Sequence, residues 1–155
     1  MESSGGMNPV RFLNIIIYGL EKAIWDMLGE SSLAATSQIG KSMLTIMKKE
    51  LALKVEGEKE QDVLDGITKR LVEDFKIADA VSIKKEGNIV SLEIKNCLML
   101  PVEKRLINKG VKPFVCPFTN IARAAMEELL NKITGIKEIN VGDDTCKIQF
   151  EILSE

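Results

Sequence analysis

The sequence predicts an α+β protein in which N-terminal helices and a long C-terminal helix pack on an antiparallel sheet built from two hairpins. In the first half of the 155-residue chain, apolar residues recur at helical spacing. In two later segments they alternate with polar residues, and between those segments the helical spacing returns. Helices that are segregated from hairpins favour an antiparallel sheet over a βαβ nucleotide fold.

The first half of the chain is predicted to be entirely helical. The first helix begins at Asn8 and Pro9, because asparagine caps free amides and proline is tolerated at the first helical position. Two adjacent apolar stripes run along this helix, which indicates burial on more than one side. A second helix is expected after Ser31 or Ser32, and a third from about Glu58 to Phe75.

The second half of the chain is predicted to contain two hairpins and two helices. In order, these are a hairpin around Gly87-Asn88, a short helix over 101–108, a long helix over about 117–134 and a hairpin around Gly142-Asp143-Asp144. Gly-Asp-Asp between two strands is typical of a tight turn, so we interpret the two aspartates as turn residues and not as a metal-binding pair.

Composition and charge indicate one globular domain without a nucleic-acid or membrane-spanning function. The chain has 21 basic and 23 acidic residues and a formal net charge of −2, so it lacks the basic footprint of a nucleic-acid-binding protein. Its longest strongly apolar run without a charge, Phe12–Leu20, is shorter than the ~20 residues of a spanning helix. We expect a disordered leader over 1–7 and a single domain over 8–155.

Cysteine usage predicts a cytoplasmic location. The three cysteines, Cys97, Cys116 and Cys146, are an odd number in a chain that needs no covalent staple. Reduced thiols in a reducing compartment are the simplest explanation.

The sequence offers little catalytic chemistry. It contains no histidine, which removes the commonest general base and the commonest zinc ligand. Gly40-Lys41-Ser42 resembles the end of a phosphate-binding loop, but Ala35 stands where that motif requires glycine, and the surrounding register is helical. A non-catalytic role is therefore favoured. The alternative is a metal- or cysteine-dependent enzyme, with Cys116 at a helix start where a thiolate would be stabilised.

Most of the chain, and most specifically its last forty residues, resembles the 4-vinyl-reductase family, which is also described as hydrocarbon-binding domains. In the N-terminal part, Asn8-Pro9 opens a long helix that closes at Leu28-Gly29-Glu30, as in many members. The resemblance depends on Cys116-Pro117-Phe118 before a long helix, on Glu138, on the Gly142-Asp143-Asp144 turn, and on Cys146 followed by Phe150. It implies an α+β domain related to heme-NO-binding-like and TRAPP-subunit-like folds. It also implies an apolar cavity, a dimer, and a role as sensor or carrier of small apolar molecules.

The same resemblance implies a zinc site at Cys116, Glu138 and Cys146. The family's middle cysteine is missing, however, since residues 139–141 are Ile, Asn and Val. Cys97 is the candidate to replace it, but three ligands leave a structural zinc site open, and buried free cysteines behave as small hydrophobic residues. We therefore expect no cofactor, with zinc as the alternative.

Three functional hypotheses follow. The leading one is a module for a small apolar ligand, and the residues expected to line its pocket are Trp25, Met43, Met47, Phe114 and Phe118. For each of these residues taken alone, a place in an ordinary core is the favoured interpretation, and only the cluster as a whole indicates a cavity. The alternative is a homodimeric assembly or tethering subunit that uses the first helix as its interface, and the third is the enzyme described above. A separate signalling or enzyme partner is compatible with any of them.

Overall fold

The predicted α+β architecture is confirmed by a computed structural model, which describes residues 8–54 and 56–153. The predicted leader, residues 1–7, lies outside the described residues. Within the described residues, the helices and strands follow in the order α1 (Pro9–Leu28), α2 (Ala35–Glu50), α3 (Glu60–Lys69), β1 (Ala80–Glu86), β2 (Ile89–Lys95), α4 (Leu100–Asn108), α5 (Pro117–Leu130), β3 (Thr134–Val141) and β4 (Thr145–Ile152).

The two predicted hairpins join into one four-stranded sheet. The strand order is β1-β2-β4-β3, and every neighbouring pair is antiparallel. The hairpins meet where β2 pairs with β4, with Leu92 opposite Ile148 and Ile94 opposite Cys146. These four side chains are buried, because alternate residues of a strand point to the same face. That face forms one side of the main core.

Helix α5 lies at the centre of the molecule. It packs against α2 and α3, and its buried apolar side chains belong to the same core cluster as those of β2 and β4. Gly40 of α2 faces Asn120 of α5 so closely that a Cβ on Gly40 would lie 2.0 Å from the Asn120 carbonyl oxygen. The segment Gly40-Lys41-Ser42 is thus part of a helix crossing, which agrees with the helical register predicted there.

Helix α1 is attached to the rest of the chain through a second, smaller core. Its side chains Ile17, Tyr18 and Trp25 pack on the buried residues Val102 and Leu106 of α4. Its N-terminus has the predicted cap, since the amide of Arg11 donates to Asn8 Oδ1 at 2.8 Å. None of the helices over residues 8–54 and 56–153 combines the length and the hydropathy required to cross a bilayer.

Three helix boundaries differ from those predicted. The third predicted helix is α-helical only over Glu60–Lys69 and continues as a π-helical segment over Arg70–Asp74. A 3-10 turn over Gly29–Ala34 occupies the segment where the second helix was expected to start, so α2 begins only at Ala35. Helix α5 ends at Leu130, before the predicted stop, because Asn131 adopts a left-handed conformation with φ of 52°. Asparagine tolerates that conformation better than most residues, so it ends a helix much as glycine does.

Candidate functional site

The outer face of α1 carries an exposed apolar stripe at heptad spacing. We call this stripe the α1 seam, and it consists of Leu13, Ile16, Leu20, Ala23 and Met27. The intervals of three and four residues are those of a coiled-coil seam. Leu20 is 58% exposed and Met27 is 74% exposed, although apolar stripes at this spacing are normally covered by another helix.

The inner face of α1 carries a buried carboxylate. Glu21 is the only described residue of α1 that is fully buried. Its Oε1 accepts hydrogen bonds from the amides of Phe114 and Val115, at 2.9 and 3.1 Å. Burial raises the pKa of Glu21, while those two amides partly offset the increase. Glu21 therefore fixes α1 to the segment between α4 and α5.

An apolar groove of about 270 Å³ opens on another side of the molecule. We call it the Met groove, since Met43 and Met47 of α2 contribute to its wall. Its remaining lining is also apolar or thiol-bearing, and comprises Leu51, Leu71, Phe75, Ile77, Cys97, Leu98, Met99, Pro117 and Ile121. Methionine side chains adapt to ligands of irregular shape.

The five residues expected to line a ligand pocket do not come together in one place. Met43 and Met47 lie in the Met groove. Trp25 is half-buried and packs on the small core beneath α1. Phe114 and Phe118 are buried in the interior, at 2% and 0% exposure. Of the predicted lining, only the two methionines therefore border this groove.

The three cysteines are buried near a buried glutamate, Glu103 of α4. The Cys146 thiol donates a hydrogen bond to the Glu103 carboxylate. Burial raises the pKa of Cys97 to about 12, and burial together with the Glu103 charge raises the pKa values of Cys116 and Cys146 further. A thiolate at Cys116 is therefore disfavoured, and with it the activity of that residue as a nucleophile.

Glu138, the fourth residue of the predicted zinc set, does not join this cluster. It is exposed on β3, where its Oε1 accepts a hydrogen bond from Asn140 Nδ2 at 2.7 Å. Among residues 8–54 and 56–153, no group of three histidine, cysteine, aspartate or glutamate residues is close enough to hold a metal ion.

Glu103 is stabilised in its neutral form by its surroundings. It is 3% exposed, and its Oε2 has no hydrogen-bond partner among the described residues. Burial and the nearby Glu21 raise the pKa of Glu103 to about 7, although the Cys146 hydrogen bond opposes this. The folded state thus holds the proton of Glu103 more tightly than the unfolded state does, where the pKa is about 4.5.

This difference predicts a loss of stability as pH rises. The free energy of unfolding has its full value, as far as Glu103 is concerned, below pH 4.5. It decreases as pH rises towards 7, and above that it stays lower by roughly 3 kcal/mol. We expect Glu103→Gln to remove the penalty. In urea unfolding at pH 5 and pH 8, the variant should gain stability relative to the wild type at pH 8 only. An equal difference between the two proteins at both pH values would contradict the assignment.

Sequence reasoning missed both buried glutamates, although each left a signal. Glu21 lies one helical turn from Ile17 and from Trp25, so an acid stands in the middle of an inward apolar stripe. Glu103 directly follows the buried residue Val102 and lies one helical turn before the buried residue Leu106. A charged residue at a position that the apolar period assigns to the core indicates a buried polar contact.

Comparison with known families corrects the resemblance drawn from the sequence. Residues 13–155 match the family described as "Putative rubredoxin C-terminal domain". The identification with the 4-vinyl-reductase family is therefore wrong, and no comparison supports hydrocarbon binding. The residues that suggested it have structural roles, since Gly142-Asp143-Asp144 forms the β3–β4 turn and Cys146 lies in the core. Such features are not specific to one family.

The chain is also similar to two known proteins, one by sequence and one by fold. An uncharacterised protein of Methanocaldococcus jannaschii is 25% identical over 107 residues, which cover 69% of this chain and 64% of that protein. The crystal structure of trafficking protein particle complex subunit 3 from Naegleria fowleri, covalently bound to palmitic acid, has a TM-score of 0.59 at 11% identity. That match covers 94% of this chain and 95% of the subunit. The TRAPP-like fold that the sequence suggested is thus confirmed.

Proposed function

Since the chain belongs to the rubredoxin C-terminal domain family and shares its fold with a trafficking-complex subunit, we propose that it is a non-catalytic assembly subunit that forms a homodimer through the α1 seam. The observation that carries this proposal is the exposed heptad stripe Leu13, Ile16, Leu20, Ala23 and Met27. A 3-4-3-4 apolar spacing fits a second helix better than it fits a small molecule or a flat surface.

The area available on α1 supports a stable dimer. The exposed large apolar side chains of this helix are Val10, Phe12, Leu13, Ile15, Ile16, Leu20, Met27 and Leu28. All of them except Ile15 lie within about 80° of Leu20 around the helix axis, so they form one continuous apolar patch of the kind that a standard-size interface, ~800 Å² on each partner, buries. Patches of this size on soluble proteins generally mark an interaction site.

The chemistry of the seam supports pairing with a second copy. None of its five positions carries a charge, so bringing two identical seams together buries no like-charged pair. The nearest acid, Asp26, already forms an ion pair at 2.6 Å with Lys22 on its own helix. A twofold interface uses the same surface on both subunits, and self-complementarity is therefore its main requirement.

Replacing Leu20 by glutamate is expected to separate the dimer. Leu20 lies at the middle of the seam and is 58% exposed in the single chain, so Leu20→Glu should leave the fold intact while burying two charges in the interface. We expect a dimer dissociation constant at least ~100-fold higher than that of the wild type. Sedimentation equilibrium at micromolar concentration measures this change.

The matched control is Ile15→Glu on the same helix. Ile15 is 48% exposed, but it lies roughly 140° around the helix axis from Leu20. This variant should remain dimeric. A wild-type chain that is monomeric at micromolar concentration, or a Leu20→Glu variant that still dimerises, would rule out the α1 seam as the interface.

A second candidate function, binding of a small apolar molecule, is favoured by the Met groove. Its lining is free of charged side chains, and its volume of about 270 Å³ is near the lower limit of small-ligand pockets, ~300 Å³. The crystal structure of the structural neighbour also contains palmitic acid, which is covalently bound to that protein. Solvent extraction followed by mass spectrometry of the purified protein tests this candidate. It fails if no apolar compound is recovered and apolar probes do not bind.

A further inference from the structure

A second opening lies beside the Met groove, between the start of α1 and the start of α4. It is an open cleft of about 730 Å³, and Arg11 and Arg105 face it together with Asn8 and Asn96. Cys97 and Leu98 line both the cleft and the Met groove. The two openings therefore share a wall, with apolar surface on one side and two arginines on the other.

The two arginines are available to a ligand. Both are exposed, and neither guanidinium forms an ion pair or a hydrogen bond with any residue in 8–54 or 56–153. Some surface cations among the described residues are held in ion pairs, as Lys41 is with Glu127 at 2.8 Å and Lys112 with Glu30 at 2.7 Å, and those cations are less available to an anion. Arginine presents a planar set of donors that matches a carboxylate or a phosphate.

We propose that the Met groove and this cleft together bind a single-chain amphiphile with an anionic head, of the long-chain carboxylate class. The alkyl chain lies between Met43 and Met47, passes over Leu98, which is 44% exposed and borders both openings, and places its head between Arg11 and Arg105. This inference rests on the second candidate function above, and adds to it the charge of the head group and the residues that recognise it.

Competition with a fluorescent long-chain carboxylate probe for the purified protein tests the assignment. The competitors are dodecanoate, which has both the long chain and the carboxylate head, dodecanol, which has the chain without the carboxylate, and butyrate, which has the carboxylate without the long chain. We expect dodecanoate to bind at least tenfold more tightly than dodecanol, and butyrate not to compete. Added salt should weaken the binding of dodecanoate, since the head contacts are exposed to solvent.

Variants identify the residues. Arg11→Gln with Arg105→Gln should reduce dodecanoate affinity to that of dodecanol, while Lys84→Gln with Lys85→Gln, an exposed basic pair on β1, should change nothing. Met47→Asp should weaken both long-chain ligands. Equal affinity for dodecanoate and dodecanol would show that the arginines do not recognise the head group. The proposal that the Met groove binds an apolar chain would not be affected. If butyrate competed as strongly as dodecanoate, the proposal that the ligand has a long alkyl chain would be wrong. If no long-chain ligand bound, both this inference and the second candidate function would be wrong.

Discussion

Gly40→Ala is expected to lower the free energy of unfolding by roughly 3 kcal/mol or more, or to prevent folding. The added Cβ would lie 2.0 Å from the carbonyl oxygen and 2.6 Å from the carbonyl carbon of Asn120. Both are backbone atoms, so no side-chain rotation relieves the overlap, and α2 must move away from α5. Because α5 lies at the centre of the core, this movement disturbs most of the buried surface. Urea unfolding followed by circular dichroism measures the change.

The matched control is Gly66→Ala, in the middle of α3. A Cβ at this position meets no atom within 4 Å, and alanine stabilises a helix interior by about 0.5–1 kcal/mol relative to glycine. This variant should therefore be slightly more stable than the wild type. If both variants behaved alike, the close crossing of α2 and α5 would not be present in the folded protein.

The second large effect is expected at Glu21. In Glu21→Met the side chain keeps most of its volume but loses the acceptor, so the amides of Phe114 and Val115 lose the hydrogen bonds that they now make. In Glu21→Gln the side-chain oxygen remains and can still accept from both amides. We expect the methionine variant to be less stable than the glutamine variant by roughly 3 kcal/mol, the cost of leaving buried donors unpaired.

Thermal and urea unfolding of the two variants side by side measure that difference. The glutamine variant should unfold close to the wild type, since it removes only a charge whose burial is unfavourable. Equal stability of Glu21→Met and Glu21→Gln would show that the hydrogen bonds to the 114–115 segment do not hold α1 in place.

Local patterns predicted most of the fold. The Asn8 cap, the two alternating hairpins and the long helix after Pro117 each depend on residues that are close in sequence, and each is found within one or a few residues of its expected position. The wrong predictions occur where the local structure depends on a residue that is distant in sequence but close in space. The 3-10 turn over Gly29–Ala34 is such a case, since Ser32 there is buried and its hydroxyl contacts the carbonyl of Ile24.

The candidate site was less predictable for the same reason. The double apolar stripe of the first helix indicated burial on two sides, and the structure accounts for only one of them. The Met groove is lined by residues between 43 and 121. A pattern in a short stretch of sequence cannot show that residues so far apart in the chain lie together. Phe114 and Phe118 illustrate the limit, because composition alone does not separate an aromatic residue in a core from one in a pocket.

The attachment of α1 through a small core of its own separates two kinds of selection on this helix. The side chains of Ile17, Tyr18 and Trp25 are constrained by their packing against α4. The seam residues are constrained only by the surface that covers them. Substitutions on the outer face can thus accumulate without lowering the stability of the central core. If the α1 seam pairs as proposed, replacing its five residues would change the pairing partner while the central core stays as it is.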